Sequence, residues 1–367
     1  MSRARRFRPE AYRPIDGFTL FDLKIVHLVL HGGSVLDWTR LALSPTMARS
    51  LCRVHGLDLA DPGDVALIDR IRDEAVAFLC ETCAFPIPGA LRRASLLDLL
   101  AAVNDGANRH RSVCACTLLK TMQVINHFDA REARQALTLT DQQLFQAAEQ
   151  RIYKTVSHMM ASGLPVVEFM GGRKQRMSMV GKLLSKDNPL SAQLFDKMRF
   201  RIVTAGRDDV LPVVSYLVRN LFPFHYVLAG ESYNTLLPLG EYCQSHPRLK
   251  RLASESGLEF PADARVPSRA NTYSSPKYQV AQWVCDLPLR VPDFTTAFIT
   301  DGVDPVPRPI VYVRTEIQIL DRQADRENER GDASHRNYKA RQLSGVVTRL
   351  KMGRRGTRRA TAARSRP

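Results

Sequence analysis

The chain is 367 residues long and 44% apolar, enough for a sizeable core in one large domain or two modest ones. No run of eighteen apolar residues occurs, and the basic N-terminus leads into no signal-type apolar stretch; this excludes a spanning helix and predicts a cytoplasmic protein. The net charge of +16 is concentrated at the ends, where residues 346–367 hold eight Arg or Lys and no acid and residues 1–14 hold five Arg against Glu10.

Those two ends are too polar to pack and are predicted to be disordered basic arms. They could touch RNA, a ribosome or another polyanion through counterion release, or serve only to keep the chain in solution. From Leu41 to about Gln150 apolar residues recur at three and four. "DVALIDRIRDEAVAFLCETC", "SLLDLLAAVNDGA", "CTLLKTMQVINHF" and "TDQQLFQAAEQRIYKTVSHMMASG" each read as amphipathic helix, so residues 15–163 form an α-helical region. Thr140 and Asp141 predict the cap of the last helix, and Gly163 followed by Pro165 predicts its end. Seven scattered cysteines do not make a disulfide framework. Cys80, Cys83, Cys114 and Cys116 are either ligands for zinc or an iron–sulfur cluster or small residues of a helical core.

From residue 164 to 345 strands and helices mix. "LPVVEFMGGRK" reads as a strand ending in a Gly-Gly turn, "RMSMVGKLLSK" as a helix, "DKMRFRIVTA" as a strand, "DDVLPVVSYLVRNLF" as a helix and "FHYVLAG" as a strand. A polar, Pro-bearing loop is expected from about Glu231 to Arg269. "YQVAQWVCDLPL" and "PIVYVRTEIQIL" follow as strands, and "DRQADRENERGDASHRNYKARQL" as a polar helix. The fold class is α+β: a mixed β-sheet with flanking helices, preceded by the helical region.

The polar residues of this second region are regularly spaced. Lys174, Ser178 and Lys182 fall on one helix face, and with Arg173 and the Gly-Gly turn they make either a phosphate-binding stripe or a solvated basic face. Asp196 opens a strand on which Arg199 and Arg201 take the opposite parity from Phe200 and Ile202. Asn271, Tyr273, Ser275 and Lys277 alternate too, and the Tyr273 ring could stack on a base or pack in an edge loop. In "VYVRTEIQILDRQ", Val311, Val313, Thr315, Ile317 and Ile319 make a core face and leave Arg314, Glu316 and Gln318 in file on the other. Together, two acids, several bases and an aromatic fit magnesium held by carboxylates, phosphates held by Lys and Arg, and a stacked base, which is the equipment of phosphoryl-type transfer.

Order and spacing resemble the synthetase domain of the RelA/SpoT family, which makes the alarmone (p)ppGpp. "GRKQRMSMVGK" matches R-x-K-x-x-x-S-x-x-x-K at Lys174, Ser178 and Lys182, and Asp196 and Arg201 match D-x-x-x-x-R. "RANTYSSPK" is similar to the guanine-site motif at Asn271, Tyr273 and Ser275. "EIQIL" supplies Glu316 and Gln318, and "NERGDASHRNYK" supplies Glu329, Gly331, Ala333, His335, Tyr338 and Lys339 in register. The chain departs from the family at Gly172 and Leu320, where two Arg are lost, and at Arg269, Thr272, Lys277 and Arg336; Arg173, Arg199 or Lys277 could compensate.

The resemblance implies a transferase that moves pyrophosphate from ATP to the 3′-hydroxyl of GDP or GTP. It implies Asp196 and Glu316 as magnesium ligands, with Glu316 also a candidate for taking the hydroxyl proton. Lys174, Lys182 and Arg201 would meet the ATP phosphates, with Arg173, Ser178 and Arg199 beside them. Tyr273 would stack the acceptor base, and Asn271 and Gln318 would orient it alongside Arg269, Ser275, Lys277 and His335. Relatives that modify tRNA or adenine nucleotides, or a catalytically silent nucleotide- or RNA-binding protein, are the alternatives. The family's helical hydrolase domain is not evident: "NHFDAREAR" offers His127 and Asp129 with no partner motif, so the N-terminal helices read as non-catalytic.

Overall fold

The computed structural model describes residues 9–31, 41, 43–137, 139–173, 177, 180, 184, 198–260, 275–291 and 309–364, with backbone alone at 332, 335, 349 and 352–364. The helix read at "RMSMVGKLLSK" lies almost wholly outside the described residues.

Among the described residues seven α-helices come first: α1 (Leu20–His31), α2 (Pro45–His55), α3 (Pro62–Ala77), α4 (Gly89–Arg92), α5 (Leu96–Ala102), α6 (Arg109–Ala136) and α7 (Asp141–Ala161). Their ends follow local chemistry. Ser44 and Asp61 accept backbone N–H groups at the starts of α2 and α3. Thr140 and Gln143 form a reciprocal capping box on α7, and Gly163 ends that helix in the left-handed region, as the sequence predicts. α1 lies within the helical region expected over 15–163, though periodicity singles out no separate helix there. Phe21, Leu23, Ile25, Val26, Val29 and Leu30 are buried, while Lys24, His27, Leu28 and His31 take the half-buried side, so the apolar face is broad.

The sheet contains β1 (Val166–Arg173), β2 (Met198–Thr204), β3 (Tyr233–Asn234), β4 (Ala281–Arg290) and β5 (Ile310–Asp321), in the order β1-β2-β5-β4-β3. β2 and β5 are parallel and the other pairs antiparallel, so the sheet is mixed. One face is apolar: Met198, Phe200, Ile202, Trp283, Cys285, Val311, Val313, Ile317 and Ile319 are buried against helices that include α1, α7 and α8 (Val210–Asn220). Burying a ring such as Phe200 or Phe222 contributes about 1.5–3 kcal/mol. A single hydrophobic cluster runs from Ile15 through the helices and the sheet to Ala324.

Several expectations are corrected. Gly171 and Gly172 are no turn: β1 continues through them to Arg173, and a Cβ on Gly171 would overlap the Phe200 ring. "FHYVLAG" is not a strand. It is a tight turn at Phe224–Tyr226 followed by one bridge from Val227 to Cys285, since the polar groups of His225 and Tyr226 are drawn inward. The loop expected from Glu231 holds β3 and the helices α9 (Leu239–Ser245) and α10 (Pro247–Ser256). Pro238 and Pro247 sit at helix starts, where the missing N–H costs nothing. The C-terminal polar helix is two, α11 (Arg322–Asn328) and α12 (His335–Arg364), divided where Gly331 takes φ 58°.

The described parts of the two arms also differ from expectation. Pro9–Pro14 is docked, because Glu10 pairs with the buried Arg219 at 3.0 Å and accepts from Ser50 at 2.6 Å. α12 carries the basic tail as helix to Arg364, its Ala, Arg, Leu and Met outweighing Gly345, Gly353 and Gly356. Among the described residues no helix is long and apolar enough to cross a membrane.

Candidate active site

The second face of the sheet carries the polar file of β5. Register sets what meets what: Arg199 on β2 lies level with Glu316, Arg201 with Gln318, Gln282 on β4 with Gln318, and Asp286 with Arg314. The file is wetted only in part. Glu316 is 2% exposed and Gln318 3%, so these two side chains are covered, while Arg314 is half-buried.

Glu316 does not pair with its own-strand neighbour Arg314. Its Oε1 accepts from Arg199 Nε at 2.8 Å and from Gln318 Nε2 at 3.0 Å, while Arg314 turns to Asp286 at 3.0 Å. A cross-strand partner is closer than one two residues along the same strand. Burial alone would lower the Arg199 pKa, but the Glu316 carboxylate opposite holds it above its ordinary value. Gln318 donates to both Glu316 Oε1 and Gln282 Oε1, the latter at 2.7 Å, which leaves its own Oε1 buried with no partner among the described residues. An unsatisfied buried acceptor beside a carboxylate costs about 1–3 kcal/mol unless a donor arrives. Magnesium takes hard oxygen donors, and the Glu316 carboxylate is one of that kind, so this side of the site fits it.

Arg201 is less open than its motif position implies. Asp325 at 3.4 Å, Glu329 at 3.7 Å and the Tyr278 hydroxyl all engage it. Burial pushes the Tyr278 phenol up, Glu316 adds to that, and Arg201 and Arg199 partly offset it. This tyrosine has no place in the sequence reading. The alternation through Asn271, Tyr273, Ser275 and Lys277 breaks at a turn in which Ser275 Oγ accepts from Lys277 N at 3.2 Å, and the change of phase brings Tyr278 to the arginines. Ser275 therefore shapes the turn, and the exposed Lys277 lies in it. Asn328 then fixes the next residue, donating to Gln279 O at 2.7 Å and accepting from Gln279 N at 3.0 Å.

Arg173 does not join the site. It shares its parity with Gly171 and the apolar face, pairs with Glu149 of α7 at 3.3 Å and lies over the Phe145 ring. Lys174, Ser178, Lys182, Asp196, Arg269, Asn271 and Tyr273 lie outside the described residues, and His335 is described only as the first residue of α12. The residues the structure does bring together are Glu316, Gln318, Arg199 and Arg201, with Tyr278 and Gln282 added.

The same file continues under α6. Tyr312 OH meets Tyr226 OH at 2.8 Å, and Asn126 and His55 close the group, His55 bonding Tyr226 directly. Burial, with His127, Arg151 and Arg290 nearby, drives His55 down to about 3, and burial holds His225 well below its ordinary value. His127 stacks on Tyr312 at 4.7 Å while Asp129 pairs with Arg70 at 2.6 Å, so the two residues separate. The cysteines do not gather either. Cys114 and Cys116 are buried, burial pushes the Cys114 thiol up, and no group of three or more His, Cys, Asp or Glu among the described residues is placed to hold a metal.

No family model and no curated protein matches the sequence. Among solved structures the chain is similar to the small alarmone synthetase 1 from Bacillus subtilis, at 12% identity over 61% of this chain and 98% of that one, with a TM-score of 0.30. It is also similar to the small alarmone synthetase 2 of that organism, at 14% identity over 59% and 94% with a TM-score of 0.29. A GTP pyrophosphokinase family protein from Streptococcus pneumoniae matches at 12% identity over 61% and 94%, with a TM-score of 0.29.

Proposed function

We propose that this protein is a magnesium-dependent pyrophosphotransferase that moves the β,γ-pyrophosphate of ATP to the 3′-hydroxyl of a guanosine nucleotide, GDP or GTP. The observation that carries the reading is the buried Glu316, held between the partly exposed Arg199 and Gln318 on the polar sheet face, within a chain whose motif order resembles the alarmone synthetases.

In this reading Glu316 accepts the proton of the 3′-hydroxyl as that oxygen bonds to the β-phosphorus. The bond from that phosphorus to the α-phosphate oxygen breaks, and AMP leaves. Arg199 meets the charge on the phosphates, with Lys174, Ser178 and Lys182 supplied from the preceding segment. Gln318 Oε1 accepts a donor of the acceptor nucleotide, which satisfies its orphaned lone pairs. Tyr273 stacks the base, flanked by Arg269, Asn271 and Lys277. Magnesium, held by Glu316 and Asp196, would neutralise phosphate charge.

A second reading keeps the chemistry and changes the acceptor to tRNA or an adenine nucleotide. It is favoured by α12, which carries the C-terminal cluster of Arg and Lys on one continuous helix.

Purified protein incubated with Mg²⁺, ATP labelled at the β-phosphate, and GDP, GTP, AMP or tRNA decides between these. Label on GDP or GTP supports the first reading, and label on tRNA or AMP the second. Absence of label on every acceptor overturns both and leaves a silent nucleotide-binding protein, as the departures at Gly172 and Leu320 would then explain.

A further inference from the structure

The buried end of the polar file fixes its hydrogen bonds in one direction. A carboxylate only accepts, so Glu316 Oε1 obliges Gln318 to present its amide nitrogen, at 3.0 Å. That nitrogen also donates to Gln282 Oε1 on β4, at 2.7 Å. Register places the two glutamines level on adjacent strands, and the buried Trp283 beside Gln282 holds the phase of β4. Turning the Gln318 amide over would face its oxygen to the carboxylate. Turning Gln282 over would face two donors to each other, so neither amide flips.

With both amides oriented, each has one end left over. Gln318 Oε1 is a buried acceptor with no partner among the described residues, on a residue 3% exposed. Gln282 Nε2 is a donor with no hydrogen bond among the described residues, on a half-buried side chain. An acceptor and a donor on neighbouring side chains match a hydroxyl, which gives one hydrogen bond and takes another. A carbonyl oxygen or an ammonium group would serve only one of the two.

Position says which hydroxyl. Gln318 touches Glu316, the carboxylate that takes the 3′-hydroxyl proton in the transfer reading. In a ribonucleoside the 2′-hydroxyl is on the very next carbon, whereas the polar edge of the base lies beyond the sugar ring. We propose that Gln282, acting with Gln318, binds the 2′-hydroxyl of the acceptor ribose and makes the transfer selective for ribonucleotides over 2′-deoxyribonucleotides. The inference rests on the transfer reading above for the place of the 3′-hydroxyl. Gln282 belongs to none of the motifs that resemble the synthetases; the pairing of β4 with β5 alone brings it to the site.

The test uses the full chain with Mg²⁺ and four probes, GDP and AMP, each beside its 2′-deoxy form. Binding is read by calorimetric titration and transfer by label from ATP. The wild type is expected to prefer the ribo form of its acceptor by about tenfold to a hundredfold, the cost of leaving one buried acceptor unpaired. Gln282→Met keeps the volume and removes the donor; the preference should fall to about threefold while the protein unfolds at the wild-type temperature. Gln318→Met removes the orphaned oxygen and should abolish the preference. It also takes a bond from Glu316, so the ratio between ribo and deoxy forms is the readout and not the rate.

Equal affinity and equal kcat/KM for the two forms in the wild type overturn the hydroxyl site, as does a preference that survives unchanged in Gln282→Met. Transfer at equal kcat/KM to both forms therefore rejects the hydroxyl site alone. A ribo preference in binding that fades in Gln282→Met, with no transfer to any acceptor, rejects the transfer reading and leaves the hydroxyl site standing. Failure to bind any of the four nucleotides overturns both.

Discussion

The two ends of the polar file on β5 solve one problem in opposite ways. At Glu316 and Gln318 the buried groups are charged or left unsatisfied, and their partner Arg199 keeps a large part of its side chain in solvent. At Tyr312, only four residues earlier, α6 and the turn at Phe224–Tyr226 close over a neutral cluster of His55, Asn126, Tyr226 and Tyr312. The backbone, the face and the strand are shared. What differs is the cover, and an end sealed by helix can hold only groups that satisfy one another, whereas an open end can keep a carboxylate ionised beside a guanidinium for use.

Replacing the one residue on which the open end depends should break the contrast most sharply. Glu316→Gln keeps the volume and the bond from Gln318 but removes the charge, and transfer should fall by about 10³-fold. Folding should be nearly unaffected, since Arg199 can hydrate; a rate assay with labelled ATP and a thermal melt read the two effects separately.

The sealed end should respond in stability and not in turnover. Arg151 of α7 donates to the carbonyls of Pro288, Val54 and Leu221, tying β4 opposite Tyr312 to α2 and to the end of α8. Arg151→Met strands those acceptors and is expected to cost about 3 kcal/mol or more in denaturant unfolding.

Acid should find the same end. His55 titrates near 3 in the fold and at its ordinary 6.5 when unfolded, so the unfolded chain takes the proton first as pH falls. Stability is full above 6.5 and declines below it, by about 2 kcal/mol at pH 5 from His55 alone. His225 adds in the same direction. Chemical denaturation from pH 7.5 to 5 measures the slope, and in His55→Gln it should be shallower.

The smallest effect is expected at Gly172. It lies in β1 level with Arg199, and a Cβ there meets nothing among the described residues, so Gly172→Arg should change stability by less than about 0.5 kcal/mol. If phosphates bind on this face, the added charge should tighten ATP. Gly171→Ala, one residue away, should instead destabilise through its clash with Phe200.

Much of this architecture could be read from the residues. Period-two alternation placed β2, β4 and β5, period-three-and-four repeats placed most helices of the first region, and the end of α7 at Gly163 followed from turn chemistry. The parity of β5 correctly set Glu316 and Gln318 apart from the core side chains. Misreadings arose where a local signal had two meanings. Prolines that start helices looked like loop, and the strand pair Gly171-Gly172, the first of them required by Phe200, looked like a turn.

Alone, the sequence determined which side of each strand a residue occupies and the order in which the motif residues follow one another, because both depend on backbone period and spacing. Only the tertiary structure decided who pairs with whom: that Glu316 takes Arg199 rather than Arg314, that Arg173 turns to α7, and that Tyr278, Asp286 and His127 border the same face. Such pairings depend on which strands lie adjacent and in what register, and those are set by contacts between residues distant in sequence, 117 positions for Arg199 and Glu316.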